Sequence, residues 1–290
     1  MQAFSYVSAK SVSEASAILA QEGDNAKVLS GGTDIIVQLR EGRRSAQVVV
    51  DVKSIPELNE LSYDAAAGLT IGAAVPLYRI YSDAKLAALY PGLMDSATLI
   101  GGTAIQGRAT LGGNVCTASP AGDALPTLIA LGARCVVSAP NGIREIAIEN
   151  FFAGPGRTVL QKGDLLVAFK LPAPQRNSGA AYLRFIPRNE MDIAVVSAGV
   201  AVQLSADKTT FVAARIALGA VAPTPLFVPE AGAALVGQPV GETAIDAAAA
   251  IAKAAARPIS DMRGSAEQRK HLSAVMTKRA LEIAVERARA

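Results

Sequence analysis

Apolar and polar positions along the chain alternate between two periods, and the changes of period mark the elements. A short extended piece runs around Phe4 to Val7. Ser11-Val12-Ser13-Glu14 then has capping-box spacing, and Ala15, Ile18 and Leu19 form an apolar stripe at helical intervals. The spacing predicts a helix over 11–21, a strand over 27–29 and a helix over 35–40. Val48-Val49-Val50-Asp51-Val52 has the unbroken apolar character of a buried strand, and Ile55-Pro56-Glu57-Leu58 reads as a turn. Glu60 to Tyr63 and Leu69 to Gly72 form a hairpin pattern. A helical region over 77–90 stops at Pro91-Gly92, and a second over 93–100 ends in Gly101-Gly102. With its glycines and few helix formers in series, 103–120 is expected to be irregular loop. Helix resumes over 124–131, and strands over 134–138 and 143–148 flank the turn signal Asn141-Gly142. Phe151 to Gly156 reads as loop, and a strand over 165–171 is closed by Pro172.

Pro172-Ala173-Pro174-Gln175-Arg176-Asn177-Ser178-Gly179 gathers Pro and Gly in a polar stretch and is the best boundary. Beyond it, strands over 180–186, 193–204 and 210–218 follow in meander order. Helices are expected over 229–235 and 245–256, and Ser265-Ala266-Glu267-Gln268 opens a last helix reaching the C-terminus. The pattern is α+β. It divides into residues 1–174, with subdomains of about 1–57 and 58–174, and a C-terminal α+β domain over 175–290.

Composition narrows the chemistry. The 290 residues are 51% apolar, 18% charged and 4% aromatic, which suits a globular chain whose apolar content is largely Ala and Val, and argues against disorder. A net charge of +3 and no Lys/Arg run longer than Arg43-Arg44 give nucleic-acid binding little support. No apolar stretch is long enough for a transmembrane segment, and Met1 to Tyr6 lacks a charged region followed by an apolar one, so a cytoplasmic location is expected. Two cysteines, Cys116 and Cys135, cannot hold an iron–sulfur cluster unaided, and a single histidine, His271, excludes multi-histidine metal sites. No catalytic or metal-ligating set stands out. Cys116 is expected to be a small buried residue.

Two glycine pairs remain. Val28-Leu29-Ser30-Gly31-Gly32-Thr33-Asp34-Ile35 runs from a strand into a helix, the setting in which helix N-terminal amides meet phosphate. Thr110-Leu111-Gly112-Gly113-Asn114 supplies a second pair, at which the backbone is expected to turn sharply and bring its N–H groups against a ligand. Either pair alone is an ordinary turn signal. Together they could grip a diphosphate from both sides.

These two stretches, with Arg188-Asn189-Glu190-Met191-Asp192-Ile193-Ala194 and Asp261-Met262-Arg263-Gly264-Ser265-Ala266-Glu267 in the same order, resemble the FAD-binding (medium) subunit of the molybdenum hydroxylases. That family includes xanthine dehydrogenase, aldehyde oxidoreductase and aerobic carbon monoxide dehydrogenase. The resemblance implies a two-subdomain FAD-binding fold of the PCMH type, followed by a C-terminal antiparallel sheet with helices. It also implies an electron-transfer role, from 2Fe-2S clusters to an acceptor such as NAD, oxygen or quinone. The partners it implies are a large molybdenum-cofactor subunit and a small 2Fe-2S subunit, assembled as a dimer of heterotrimers.

By the same resemblance, Val28, Leu29, Ser30, Gly31, Gly32, Thr33, Asp34 and Ile35 bind the cofactor, with Thr110, Leu111, Gly112, Gly113 and Asn114 also on its diphosphate. Ile100 and Asp123 match flavin contacts, and Leu165 and Leu166 lie on the strand that passes the flavin. Arg184 stands where relatives often carry lysine. The residues themselves leave alternatives open: Ile100, Leu165 and Leu166 read equally as core, and Asp123, between Gly122 and Ala124, reads equally as a helix N-cap. Asp192 is expected in structural hydrogen bonds. Thr33-Asp34 after Gly-Gly departs from the carbon monoxide dehydrogenase pattern and looks more like the subunits that serve xanthine, nicotinate and other N-heterocycle or aromatic hydroxylases. The complex is expected to hydroxylate an N-heterocycle, aromatic or aldehyde substrate. The rival functions are a carbon monoxide dehydrogenase medium subunit, a self-sufficient flavin oxidase or dehydrogenase, and an assembly or scaffold protein without FAD.

Overall fold

An apolar run with no polar face belongs in the middle of a sheet, and Val48–Asp51 lies there. In the computed structural model, which describes residues 2–188 and 191–290, β1 (Ser5–Ser8) and β2 (Ala26–Leu29) flank β3 (Val48–Asp51), both parallel to it. Asn189 and Glu190 of the Arg188 to Ala194 motif therefore lie outside the described residues. Parallel neighbours need crossovers, supplied by α1 (Val12–Glu22) and α2 (Ile35–Arg40). Ser11 Oγ accepts from Glu14 N at the start of α1, while the Glu14 carboxylate reaches back to Lys10 N, one residue beyond the usual partner.

The second sheet is antiparallel. Its order is β4 (Leu61–Asp64), β5 (Gly68–Gly72), β10 (Leu165–Leu171), β6 (Arg134–Ala139), β7 (Gly142–Ala147), so the last of these strands in sequence becomes the centre. A small ladder of β8 (Phe152–Gly154) and β9 (Arg157–Thr158) replaces part of the expected loop. The helices between β5 and β6 differ from the sequence pattern. The region 77–90 is two helices, α3 (Leu77–Tyr81) and α4 (Ala84–Leu89), because Asp83 accepts from Lys85 N and Leu86 N and so caps a new start. Pro91 is no stop. It is the first residue of α5 (Pro91–Ala97), where a missing N–H costs nothing. The expected loop at 103–120 contains α6 (Thr103–Gln106) and α7 (Leu111–Thr117) and leads to α8 (Ala124–Ala130).

The last third forms a four-stranded antiparallel sheet in simple order, β11 (Ser178–Phe185), β12 (Val196–Leu204), β13 (Phe211–Gly219) and β14 (Leu226–Phe227). It is followed by α9 (Pro229–Ala233), α10 (Glu242–Ala255) and α11 (Ala266–Arg289). Strand alternation divides the sheet's work. Ala181, Leu183, Val200 and Val202 point to one face and pack on α10 and α11 in a core with Ala248, Ala252, Leu281 and Ala284. Ala180, Tyr182, Arg184, Ser197 and Gly199 point to the other, which meets α5 and α8. Contact there is close: a Cβ on Gly199 would lie 2.4 Å from the Pro126 carbonyl carbon. None of the helices in the described residues is long and apolar enough to cross a membrane.

One residue reaches round the free edge of β11 to join the two sides. Arg287 of α11 places Nη1 2.6 Å from Asp95 Oδ2 and Nη2 2.9 Å from Asp95 Oδ1 on α5. It also donates to Ala180 O at 2.7 Å, and Asp95 Oδ2 accepts from Tyr182 N at 3.0 Å. This fork geometry is the strong form of ion pair. A double-mutant cycle of Asp95→Ala and Arg287→Ala, read by urea denaturation, should give a coupling of about 1–3 kcal/mol. A coupling near zero would mean the clamp contributes nothing.

Candidate cofactor site

β2 ends at Leu29, and Ser30 to Asp34 pass over the carboxyl end of the parallel sheet before α2 begins. The two glycines there serve different needs. Gly32 has φ +83°, a left-handed conformation that L side chains resist. Gly31 is closed in instead: an added Cβ would lie 2.2 Å from the carbonyl oxygen of Arg108. The second pair does not make the sharp turn expected of it. Gly112 and Gly113 lie in the first turn of α7, and neither is among the glycines with positive φ. Gly112 is required by proximity, since its Cβ would lie 2.3 Å from Ala73 O, whereas a Cβ on Gly113 would meet only Thr110 Oγ1, at 3.2 Å.

Side chains then join the two segments. Ser30 Oγ and Thr110 Oγ1 are hydrogen-bonded at 3.0 Å, and Thr110 Oγ1 also caps α7 by accepting from Gly113 N at 2.9 Å. Thr117 Oγ1 donates to Asp34 Oδ2 at 3.3 Å. Between them opens a cleft of about 230 Å³. Val28, Ile100, Leu165 and Leu166 give it apolar lining; Ser30, Thr33, Asp34, Thr110 and Asn114 give it polar lining; and Gly31, Gly32, Ile35, Gly112 and Gly113 complete these stretches. The N–H groups of Gly31, Gly32, Thr33, Asp34 and Ile35, and those of Leu111 and Gly112, find no backbone acceptor among the described residues. All of these but Leu111 belong to residues that line the cleft, so donors from two segments border one space, which suits a group rich in anionic oxygen.

Four expected residues do not line the cleft. Leu29 and Leu111 turn into apolar clusters. Asp123 and Arg184 form a buried pair with Tyr182: Arg184 Nη1 lies 2.8 Å from Asp123 Oδ2, and Tyr182 donates its hydroxyl to Asp123 Oδ1 at 2.6 Å. Asp123 does occupy the N-cap position of α8, but its carboxylate bonds to Tyr182 and Arg184 of β11 and makes no cap bond. Asn114 Oδ1 accepts from Ala124 N there instead, at 3.3 Å. Burial pushes the Asp123 carboxyl up, against the pull of Arg184 and Tyr182, and burial holds the Tyr182 phenol well above its ordinary value. As expected, Asp192 takes part in local bonds: Oδ1 accepts from Ile193 N at 2.8 Å, and Arg188 and Arg263 approach its oxygens at 3.4 and 3.8 Å.

The cleft also contains residues not expected there: Lys27, Gln38, Arg44, Cys116, Thr117 and Asp164. The expectation of loop over 103–120 hid the register that brings Gly113, Cys116 and Thr117 to one face of α7. Cys116 is not buried as expected; its side chain is exposed to the cleft, while the surrounding protein mass pushes the thiol up to about 12. Asp164 is paired with Arg144 at 2.6 Å and its Oδ2 also accepts from Gln161 N at 2.7 Å.

The family model described as FAD binding domain in molybdopterin dehydrogenase matches residues 2–174, and that described as CO dehydrogenase flavoprotein C-terminal domain matches 181–284. The chain belongs to the FAD-binding subunits of the molybdenum hydroxylase family. Among members of this family, it is 33% identical to the carbon monoxide dehydrogenase medium chain of Afipia carboxidovorans, over 99% of this chain and 98% of that one. It is 32% identical to the xanthine dehydrogenase FAD-binding subunit of Escherichia coli O157:H7, over 97% and 96%. The solved quinoline 2-oxidoreductase of Pseudomonas putida 86 superposes with a TM-score of 0.90 at 29% identity, covering 100% of this chain and 99% of that chain. The residues present fit the family's FAD, since amides without a backbone acceptor border the cleft from two segments, the kind of donor a diphosphate takes.

Two stability measurements follow from this geometry. Asp123→Asn keeps the shape and an acceptor for Tyr182 but leaves the Arg184 charge uncompensated, and should cost about 3–5 kcal/mol by denaturant titration. A cost under about 1 kcal/mol would show that Arg184 finds another counter-charge. Gly112→Ala, which forces a Cβ onto a backbone carbonyl, should cost about 1–3 kcal/mol, whereas Gly113→Ala should stay within about 1 kcal/mol of the parent because helix propensity offsets its tighter contact. Equal costs would place the close approach elsewhere.

Proposed function

We propose that this chain is the flavoprotein subunit of a three-component molybdenum hydroxylase and that its FAD lies in the cleft between Ser30–Asp34 and α7. The observation that carries the reading is that two separate segments whose amides lack a backbone acceptor, Gly31 to Ile35 and Gly112, line one cavity. Donors from two separate segments suit a diphosphate, where a monophosphate needs only one. Lys27 and Arg44 add positive charge to the same cleft. Bound FAD would accept and pass on electrons, the chemistry that the side chains here do not themselves supply. The chain's own work is to hold the diphosphate on its amides, to cover the ring system with Ile100, Leu165 and Leu166, and to keep water from its faces.

In this reading residues 1–174 are the FAD-binding domain, with subdomains of about 1–57 and 58–174, and residues 175–290 are the C-terminal domain that closes the site. Asp123 and Arg184 brace the junction from behind. A small 2Fe-2S subunit supplies electrons released at the molybdenum cofactor of a large subunit, and NAD, oxygen or a quinone removes them. The complex is cytoplasmic, a dimer of heterotrimers, and hydroxylates an N-heterocycle, aromatic or aldehyde. The kinship with quinoline 2-oxidoreductase supports the first substrate class.

Denaturing the purified chain should release FAD and not FMN, close to one per chain. Cys116 gives an independent check of place, because it opens into the cleft while Cys135 is buried. Under mildly alkaline conditions, slow maleimide labelling should modify Cys116 in protein stripped of flavin and spare it in loaded protein. Equal labelling of the two forms would put the flavin outside this cleft.

A further inference from the structure

The end of the cleft formed by Ile100 is built on a segment with little support of its own. α5 stops at Ala97, and the chain runs through Thr98 and Ile100 to two successive glycines, Gly101 at φ +63° and Gly102 at φ +86°. α6 then folds straight back, so closely that a Cβ on Gly101 would lie 2.2 Å from Ile105 Cδ1. The carbonyls of Thr98 and Ile100 accept from no backbone N–H among the described residues. Both are met by a single side chain. Gln106, 1% exposed, donates Nε2 to Thr98 O at 2.7 Å and to Ile100 O at 3.2 Å. Because both acceptors are carbonyls, the amide orientation is fixed and both of its hydrogens are committed.

We propose that Gln106 is a positioning residue for the cofactor: by tying the two carbonyls together it holds Ile100 in the cleft wall and sets the shape of that end of the site. The inference rests on the FAD reading of the cleft. Gln106 itself is absent from the lining, so its effect passes through Ile100. Removing the donor takes from the Thr98 and Ile100 carbonyls their side-chain partner, and the segment leading into the two glycines can answer by moving.

The test compares FAD binding to the full chain, stripped and refilled, with that of Gln106→Met and Gln106→Glu. Methionine keeps the length and burial and loses the donors. Glutamate keeps the shape but, ionised, sets a negative oxygen against two carbonyls; protonated, it can donate once more. Both variants should bind FAD about tenfold or more weakly near neutral pH, with an altered visible flavin spectrum. Affinity of Gln106→Glu should recover on acidification while Gln106→Met stays weak. Among nearby charges, α5 carries Asp95, already paired with Arg287, and the following segment carries Arg108; the parent protein's own pH profile, run in parallel, corrects for both. Maleimide labelling of Cys116 in the stripped variants reports whether the cleft is still formed, and a variant that fails this check is replaced by Gln106→Leu. Parent-like affinity and spectrum in both variants, or a Gln106→Glu profile parallel to the parent's, would overturn the proposal. If the parent chain itself takes up no FAD, the cofactor reading fails first.

Discussion

The site depends on how closely two stretches of backbone, about eighty residues apart in sequence, can approach one another. Gly31 against the Arg108 carbonyl and Gly112 against the Ala73 carbonyl leave no room for even one methyl group. Only because these contacts are bare can Ser30 and Thr110 share a hydrogen bond and the two segments border the same cleft. Steric exclusion is a stiffer constraint than any single hydrogen bond here, since a bond of this kind contributes about 1 kcal/mol while a forced overlap moves the chain. The donors are thereby arranged before a ligand arrives, which lowers the ordering cost of binding.

The C-terminal sheet solves a related problem by alternation. One face of β11 and β12 is almost wholly aliphatic and takes the alanine-rich helices, whose small side chains let α11 come near enough for a Cβ on Gly179 to lie 2.1 Å from Ala284 O. The other face mixes small residues with Tyr182, Arg184 and Ser197 and meets α5 and α8. A charged residue can be buried on that face because its counter-charge arrives from a different element, Asp123 at the head of α8.

Strands were well marked in the sequence wherever an apolar run met a turn residue. The hairpins, the strand at 165–171 and the three long C-terminal strands appear within a few residues of their expected bounds. Helix starts with a side-chain cap were equally readable at Ser11 and Ser265. Failures gathered where glycine and proline carry tertiary meaning. Gly112-Gly113 reads locally as a turn, yet packing against Ala73 makes it helical; Pro91 reads as a stop, yet it begins a helix. The cleft was legible in its two glycine loops, and not in Lys27, Gln38, Arg44 and Thr117, whose place depends on elements that meet only in three dimensions. Asp123 and Arg184 were found as a resemblance, and their partnership with each other was not visible in a one-dimensional pattern.

That partnership bears on modularity. The family descriptions divide the chain between residues 174 and 181, and the linker there has the composition of a seam. Yet Asp123 on one side of it is the counter-ion of Arg184 on the other, Asp95 is held by Arg287, and Arg215 donates to the Ile129 carbonyl. Cutting at the seam would strand charge on both fragments. The two parts can thus be recognised separately yet are electrically interdependent: a recombination event that exchanged the C-terminal part between relatives would also have to carry a cation for Asp123.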